Sequence, residues 1–176
     1  GPKIHIGCGE TEIPGWINID ARSFGHVHIV TNSLDLTEFA DGTIDEIYMC
    51  HVLEHLSFKD VDKVINKYYE KLRPNGILRI SVPDFELLIK IYLELGKDLE
   101  FVKQALMGGQ DYKDNFHRSV FDKKLLGELM KRSGFREIRE WETEKEFGRD
   151  LDDWSSGSLH RGIRSFKVSL NLLGIK

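Results

Sequence analysis

The sequence predicts an α/β fold: a three-layer sandwich built on a mostly parallel seven-stranded sheet with one antiparallel strand near the edge. Three observations lead there. Short apolar runs alternate with segments of helical period along most of the chain, the pattern of βαβ units. Turn-forming stretches such as Pro14-Gly15, Asp41-Gly42 and Pro74-Asn75-Gly76 separate them. Two final apolar runs follow without a helical pattern between them, and such neighbours pair most simply antiparallel.

Each element has its own signal. Lys3 to Ile6 is an apolar run entering Gly7-Cys8-Gly9, a buried strand that feeds a tight loop. Trp16 to Asp20 alternates toward an acidic end and is the second strand. Val27 to Val30 is the third, ahead of polar Thr31 to Thr37, and Ile44 to Cys50 is the fourth. The first helix covers about Asp60 to Leu72, with Val61, Val64, Ile65, Tyr68 and Leu72 on one stripe and Ser57 as its N-cap. Pro74-Asn75-Gly76 stops it, and Ile77 to Val82 is the fifth strand. Asp84 caps a helix through Leu95, and Asp98 another through Met107. Asp122 to Ser133 is helical on Leu125, Leu126, Leu129 and Met130, closed by Gly134. Phe135 to Trp141 and Phe166 to Leu172 are the last strands. The charged run Glu137 to Asp153 reads as solvated surface or a mobile insert.

Composition narrows the function. The 25 Lys and Arg stand against 29 Asp and Glu, a formal net charge of −4. That balance speaks against a nucleic-acid partner, which needs a basic face. No apolar run reaches the ~20 residues of a membrane span, and the N-terminus lacks a signal-peptide layout. Two cysteines make no disulfide framework and fit a reducing, cytoplasmic compartment. Gly1-Pro2 has the look of a protease-tag remnant, which leaves residues 3–176 as a single domain. Strand-edge and helix surfaces leave room for a homodimer.

The strand ends carry a set of candidate ligands. Gly7-Cys8-Gly9 lies where an open α/β sheet binds its ligand, and glycine there lets backbone approach closely. Asp20 ends the second strand, placed to accept both hydroxyl hydrogens of a ribose. Asp35-Leu36 follows the third strand, placed for an adenine amino group. Only 10 residues separate Gly9 from Asp20, too few for a helix plus a strand. The phosphate-cradling helix of a dinucleotide site is therefore missing, which argues against a nicotinamide cofactor.

These motifs resemble class I S-adenosylmethionine-dependent methyltransferases over nearly the whole chain. Ile4 to Gly9 is similar to their glycine-rich first motif, Trp16 to Asp20 to their acidic second strand, and His51 to Leu56 to the stretch after their fourth strand. Leu72-Arg73-Pro74-Asn75-Gly76-Ile77-Leu78 resembles their post-helix turn, with Asn75 in place of a glycine. Asparagine tolerates left-handed backbone, so the turn survives. Gly76 to Asp84, Gly108-Gly109-Gln110, Asn115 to Asp122 and Ser169-Leu170-Asn171 resemble a compact group associated with sugar and surface-polysaccharide biosynthesis. The resemblance implies a Rossmann-like fold and S-adenosyl-L-methionine as cofactor, held by Gly7, Cys8, Gly9, Asp20, Asp35, Leu36 and His51. It implies methyl transfer, expected on an oxygen of a small acceptor such as a nucleotide sugar or glycan-pathway intermediate.

An alcohol acceptor must lose a proton, so histidines and carboxylates near the reacting end are the catalytic candidates: His51, His55, Asp84 and His117. Asp84 has an alternative role as a helix cap. Glu54, Tyr112 and Arg118 are weaker candidates. Cys8 and Cys50 read as small buried packing. His51-x-x-Glu54-His55 also spells a zinc-peptidase motif, but here it straddles a strand exit rather than a helix interior, which rejects that reading. Some small-RNA 3′-end methyltransferases have a similar metal-binding cluster, which His51, Glu54, His55 and His117 would mimic in a metal-assisted 2′-O-methyltransferase. The leading reading assigns no metal. A non-catalytic scaffold would have no need of Gly7, Gly9, Asp20 and Asp35.

Overall fold

The computed structural model describes residues 1–176. The chain runs β1 (Lys3–Ile6), β2 (Ile17–Asp20), β3 (Ile29–Val30), β4 (Ile44–Cys50), a single 3-10 turn (Leu53–His55), α1 (Val61–Lys71), β5 (Leu72–Pro83), α2 (Phe85–Glu94) and α3 (Leu99–Met107). It continues through α4 (Lys123–Ser133), β6 (Arg136–Glu140), α5 (Thr143–Phe147), β7 (Ser158–Arg161), β8 (Arg164–Lys167) and β9 (Ser169–Ile175). Seven strands form one sheet in the order β3-β2-β1-β4-β5-β9-β6, while β7 and β8 form a separate hairpin. The pairs from β3 to β5 are parallel, and β9 runs antiparallel between β5 and β6. The predicted class, strand number and near-edge antiparallel strand all hold.

Period-two alternation distributes side chains to the two faces of the sheet. Ile4, Ile6, Ile47, Met49, Leu78, Ile80, Val82, Leu170 and Leu172 meet Val61, Ile65 and Tyr68 of α1 and Leu126, Leu129 and Met130 of α4 in the main core. The opposite face carries Tyr48 and Leu173, with Ile13, Trp141 and Leu151 closing over them. Because the β1–β2 connection is too short for a helix, that face is covered by the segment returning after β6. Phe147 of α5 packs on Trp16, Tyr48 and Trp141 at ring separations of 5.7, 5.1 and 6.0 Å.

The run from Glu137 to Asp153 is thus a structural layer and not a mobile insert. Its charges face outward or pair, as Glu146 does with Arg79 and Arg139, while Trp141, Phe147 and Leu151 fill the face. Arg79 is buried on β5 between Glu46 and Glu146, which pins α5 to the sheet.

Local signals were mostly correct. Asp84, Asp98 and Asp122 accept hydrogen bonds from the backbone N–H groups of Glu86, Phe101 and Leu125 at 3.0, 3.2 and 2.8 Å, as N-caps do. Gly134 closes α4 at φ +107°; Asn75 sits at φ +64°, but Pro74-Asn75-Gly76 forms an irregularity inside β5, which starts at Leu72 directly after α1 and not at Ile77. Ser57 is a correction: its hydroxyl accepts from the nearby Lys59 N–H, and Asp60 occupies the N-cap position without a capping bond from its side chain. The late run Phe166 to Leu172 falls in two strands, the end of β8 and the start of β9, split at buried Val168, and β8 pairs with β7 through the two-residue turn Gly162-Ile163, with Gly162 at φ +61°.

Candidate functional site

The carboxyl ends of β1, β2 and β4 open onto two adjoining cavities of about 670 and 400 Å³, each lined by Gly7, Arg22, His51, His55 and Tyr112. Gly7 is forced to be glycine twice over. Its φ is +63°, and a Cβ there would lie 2.3 Å from Val52 Cγ2. Gly9, at φ +53°, donates its N–H to Asp20 Oδ2 at 2.8 Å, and Arg22 N–H donates to Asp20 Oδ1 at 2.8 Å. Asp20 is 8% exposed and lines the smaller cavity. The acidic end of β2 therefore holds the glycine loop as well as facing the cavity. His26, which the sequence reading passed over, adds a 2.9 Å bond to the Gly9 carbonyl. Cys8 is packed inside the loop, and burial pushes its thiol up to about 11, so it stays an uncharged packing group.

Asp35 and Leu36 are placed elsewhere. β3 ends at Val30, and the polar turn Thr31 to Leu34 itself lines the smaller cavity. Asp35 is exposed and accepts from Ser33 Oγ at 3.3 Å, and Leu36 is buried in the main core. Asp84 lines neither cavity; it caps α2.

The larger cavity gathers His51, Glu54, His55 and His117 from two distant chain segments. The link is backbone: the Arg118 and Ser119 N–H groups both donate to the Glu54 carbonyl, at 2.8 and 3.0 Å, and Ser119 Oγ donates to the Leu56 carbonyl at 2.5 Å. The 3-10 turn and the His117 loop therefore form one rigid wall.

Hydrogen bonds fix the imidazole tautomers. His55 Nδ1 and His117 Nδ1 each stand 3.2 Å from a backbone carbonyl, of Phe116 and Leu106, so each Nδ1 carries the proton and each Nε2 a lone pair. Ser169 Oγ donates to the Trp154 carbonyl at 2.6 Å, so it must accept from His51 Nε2–H at 2.7 Å, which leaves the lone pair of His51 on Nδ1. Three lone pairs thus face Glu54 Oε1, at 3.6, 3.7 and 3.9 Å from His51, His55 and His117. Burial holds the histidines neutral: it lowers His51 to about 3 and lowers His55 and His117. Burial also raises the Glu54 carboxyl to about 8. Glu54 is 1% exposed, and neither carboxylate oxygen has a hydrogen-bond partner.

The facing wall comes from the segment after α5. Tyr48 Oη donates to Asp153 Oδ2 at 2.6 Å, and the Ser155 N–H donates to Asp153 Oδ1 at 2.9 Å. That anchorage stacks Trp154 on His51, ring centroids 5.9 Å apart and 19° from parallel. Gln104, Tyr112 and Asn115 line the same chamber. Nothing in the sequence ties Trp154 to His51, because only the fold carries the acidic run across the sheet. Tyr112 borders both cavities and Arg118 the smaller one.

The chain matches the model of a methyltransferase-domain family over residues 11–140. No curated protein matches the sequence. Among solved structures, an S-adenosylmethionine-dependent methyltransferase from Archaeoglobus fulgidus is 15% identical, with a TM-score of 0.61 over 100% of this chain and 87% of that one. A possible histamine N-methyltransferase from Thermotoga maritima is 16% identical, with a TM-score of 0.60 over 100% and 82%. A Burkholderia thailandensis 1,6-didemethyltoxoflavin-N1-methyltransferase, solved with bound S-adenosylhomocysteine, is 13% identical, with a TM-score of 0.54 over 92% and 60%. No helix of the chain is long and apolar enough to cross a membrane.

Proposed function

As a member of the methyltransferase-domain family this chain is an S-adenosylmethionine-dependent methyltransferase, and we propose that it methylates a hydroxyl oxygen of a small carbohydrate-like acceptor, such as a nucleotide sugar or glycan-pathway intermediate. The carrying observation is the chamber beside Gly7: neutral histidine lone pairs on one wall, and Trp154 with the amides of Gln104 and Asn115 around them. An aromatic face for a ring and amides for hydroxyls is the composition that suits a sugar. In this reading the smaller cavity, with Asp20 and Thr31 to Leu34, takes the adenosine half of the cofactor, and the glycine loop takes the methionine half.

S-adenosylmethionine held by the glycine loop would supply the methyl group for an in-line displacement, the acceptor oxygen taking the methyl carbon while sulfur keeps the electron pair of the broken bond. The hydroxyl proton becomes strongly acidic as the oxygen gains its third bond. A protonated ether is a far stronger acid than an imidazolium, so even His51, lowered to about 3, can take that proton on Nδ1. The Nε2–H bond to Ser169 fixes the ring for that task. Most of the acceleration is then positioning of acceptor and methyl on one axis.

The test is methyl transfer from isotopically labelled S-adenosylmethionine into a panel of nucleotide sugars, free sugars and amines, read by mass spectrometry. Label on a sugar oxygen is expected. Label found only on nitrogen acceptors would refute the proposed acceptor while leaving the methyltransferase assignment intact.

A further inference from the structure

We propose that Glu54, His55 and His117 form a binding site for a divalent transition-metal ion, with its remaining positions open to the acceptor chamber. The leading expectation from the sequence has no metal, its alternative has a four-residue cluster, and the transfer described above needs none. Four observations point to one. The ligand atoms of these three residues all lie within 4.8 Å of one another. Both Glu54 oxygens are buried and without a partner, so this carboxylate is either a neutral acid doing nothing or a group awaiting a cation. The two Nε2 atoms that face it are lone pairs, because backbone carbonyls of Phe116 and Leu106 hold the protons on Nδ1. When Glu54 is ionised these lone pairs repel its oxygen, and a cation between them reverses the sign of every one of these contacts. Such carbonyl bonds to the far ring nitrogen are also what metal-bound histidines make.

The geometry is close to that of a loaded site. Atoms bound at about 2.0–2.2 Å to one ion stand roughly 3–3.6 Å apart. The separations of 3.7 and 3.9 Å from Glu54 Oε1 need a contraction of a few tenths of an ångström, and the whole set, lying within 4.8 Å, closes onto one ion by up to about 1 Å at its widest pair. Two imidazoles and one carboxylate favour Zn²⁺, Co²⁺ or Fe²⁺ over Mg²⁺ or Ca²⁺, which prefer all-oxygen sites. His51 Nδ1 stands 3.6 Å from Glu54 Oε1 but lies outside the three-residue cluster, so His51 borders the site. The four-residue set expected from the sequence thus becomes three plus one. The ion would supply a positive charge against which an acceptor hydroxyl binds and becomes easier to deprotonate. That last role rests on the O-methylation reading; the metal site does not.

The experiment titrates Co²⁺ into the chelator-treated protein and reads visible d–d absorption and calorimetry, with Zn²⁺ as competitor. One equivalent should bind, Zn²⁺ should displace it, and His51→Ala should retain it. Glu54→Gln and His117→Ala should each weaken binding at least a hundredfold. Circular dichroism establishes that the variants fold; should they not, the wild type still decides, because a bound ion raises its melting temperature with ion concentration. No uptake by folded wild-type protein, or uptake unchanged in folded Glu54→Gln and His117→Ala, overturns the proposal. S-adenosylhomocysteine binding is measured separately in the presence of chelator, so failure of the metal site and failure of the methyltransferase reading give different results.

Discussion

Replacing Gly7 with alanine probes the contact that seats the glycine loop against the strand-four exit. The new methyl would stand 2.3 Å from Val52 Cγ2, where carbon atoms ordinarily stand about 3.5–4.0 Å apart. Relieving that overlap means moving Val52 by more than an ångström or prising the loop away, an overpacking cost of about 1–3 kcal/mol. The backbone angle of +63° adds about 1–2 kcal/mol for any residue with a Cβ. The total is about 2–5 kcal/mol, of which only the steric part can be relieved from the other side. Urea denaturation of Gly7→Ala, Val52→Ala and the double variant separates the two. The double variant should recover about 1–3 kcal/mol relative to the sum of the singles, leaving the backbone cost behind. Because Val52 adjoins His51, S-adenosylhomocysteine affinity measured by calorimetry should fall in Gly7→Ala and partly return in the double variant. Strictly additive stabilities, or a Gly7→Ala protein as stable as wild type, would refute the close approach.

Three further outcomes follow from the same geometry. Asp20→Ala removes the acceptor of the Gly9 and Arg22 N–H groups and, on the proposed reading, a charged partner for the ribose; cofactor affinity should drop roughly 10- to 100-fold, as the loss of about 1.5–3 kcal/mol dictates, and unchanged calorimetric binding in the folded variant would remove Asp20 from the site. Asp84→Ala should cost about 1 kcal/mol of stability through loss of the α2 cap and leave methyl transfer intact, which a denaturation curve and a turnover assay check together. Arg79→Met should destabilise the fold by about 1.5–3 kcal/mol near neutral pH. Burial alone would raise the Glu46 and Glu146 carboxyls, but Lys3 and Arg79 around the first, and Arg79 and Arg139 around the second, hold both below their usual range. Their contribution is therefore present above the unfolded carboxylate pKa of ~4.3 and is lost as pH falls through the lower folded values. The stability gap between wild type and Arg79→Met should narrow on acidification below about pH 4, and a gap constant down to pH 2 would exclude this ion-pair origin.

What could be read from the chain without its fold was whatever depends on neighbours in sequence. The strand into Gly7-Cys8-Gly9, the acidic end of β2 and the aspartate caps are local patterns, set by backbone sterics and by side chains reaching two or three residues onward. The parallel sheet followed from the alternation of periods, and the missing β1–β2 helix from a plain count of residues. Tertiary structure decided what depends on through-space placement. It moved the cavity wall from Asp35-Leu36 to Thr31 to Leu34, because the turn directly after Val30 lines the cavity and the chain then carries Leu36 into the main core. It turned an acidic run into the cover of a face, since three apolar residues spaced through it suffice to bury when Tyr48 and Leu173 wait opposite. It brought Trp154 onto His51, and it aimed the lone pairs of His55 and His117 at Glu54. Tautomers answer to carbonyls of Phe116 and Leu106 that only the folded chain supplies.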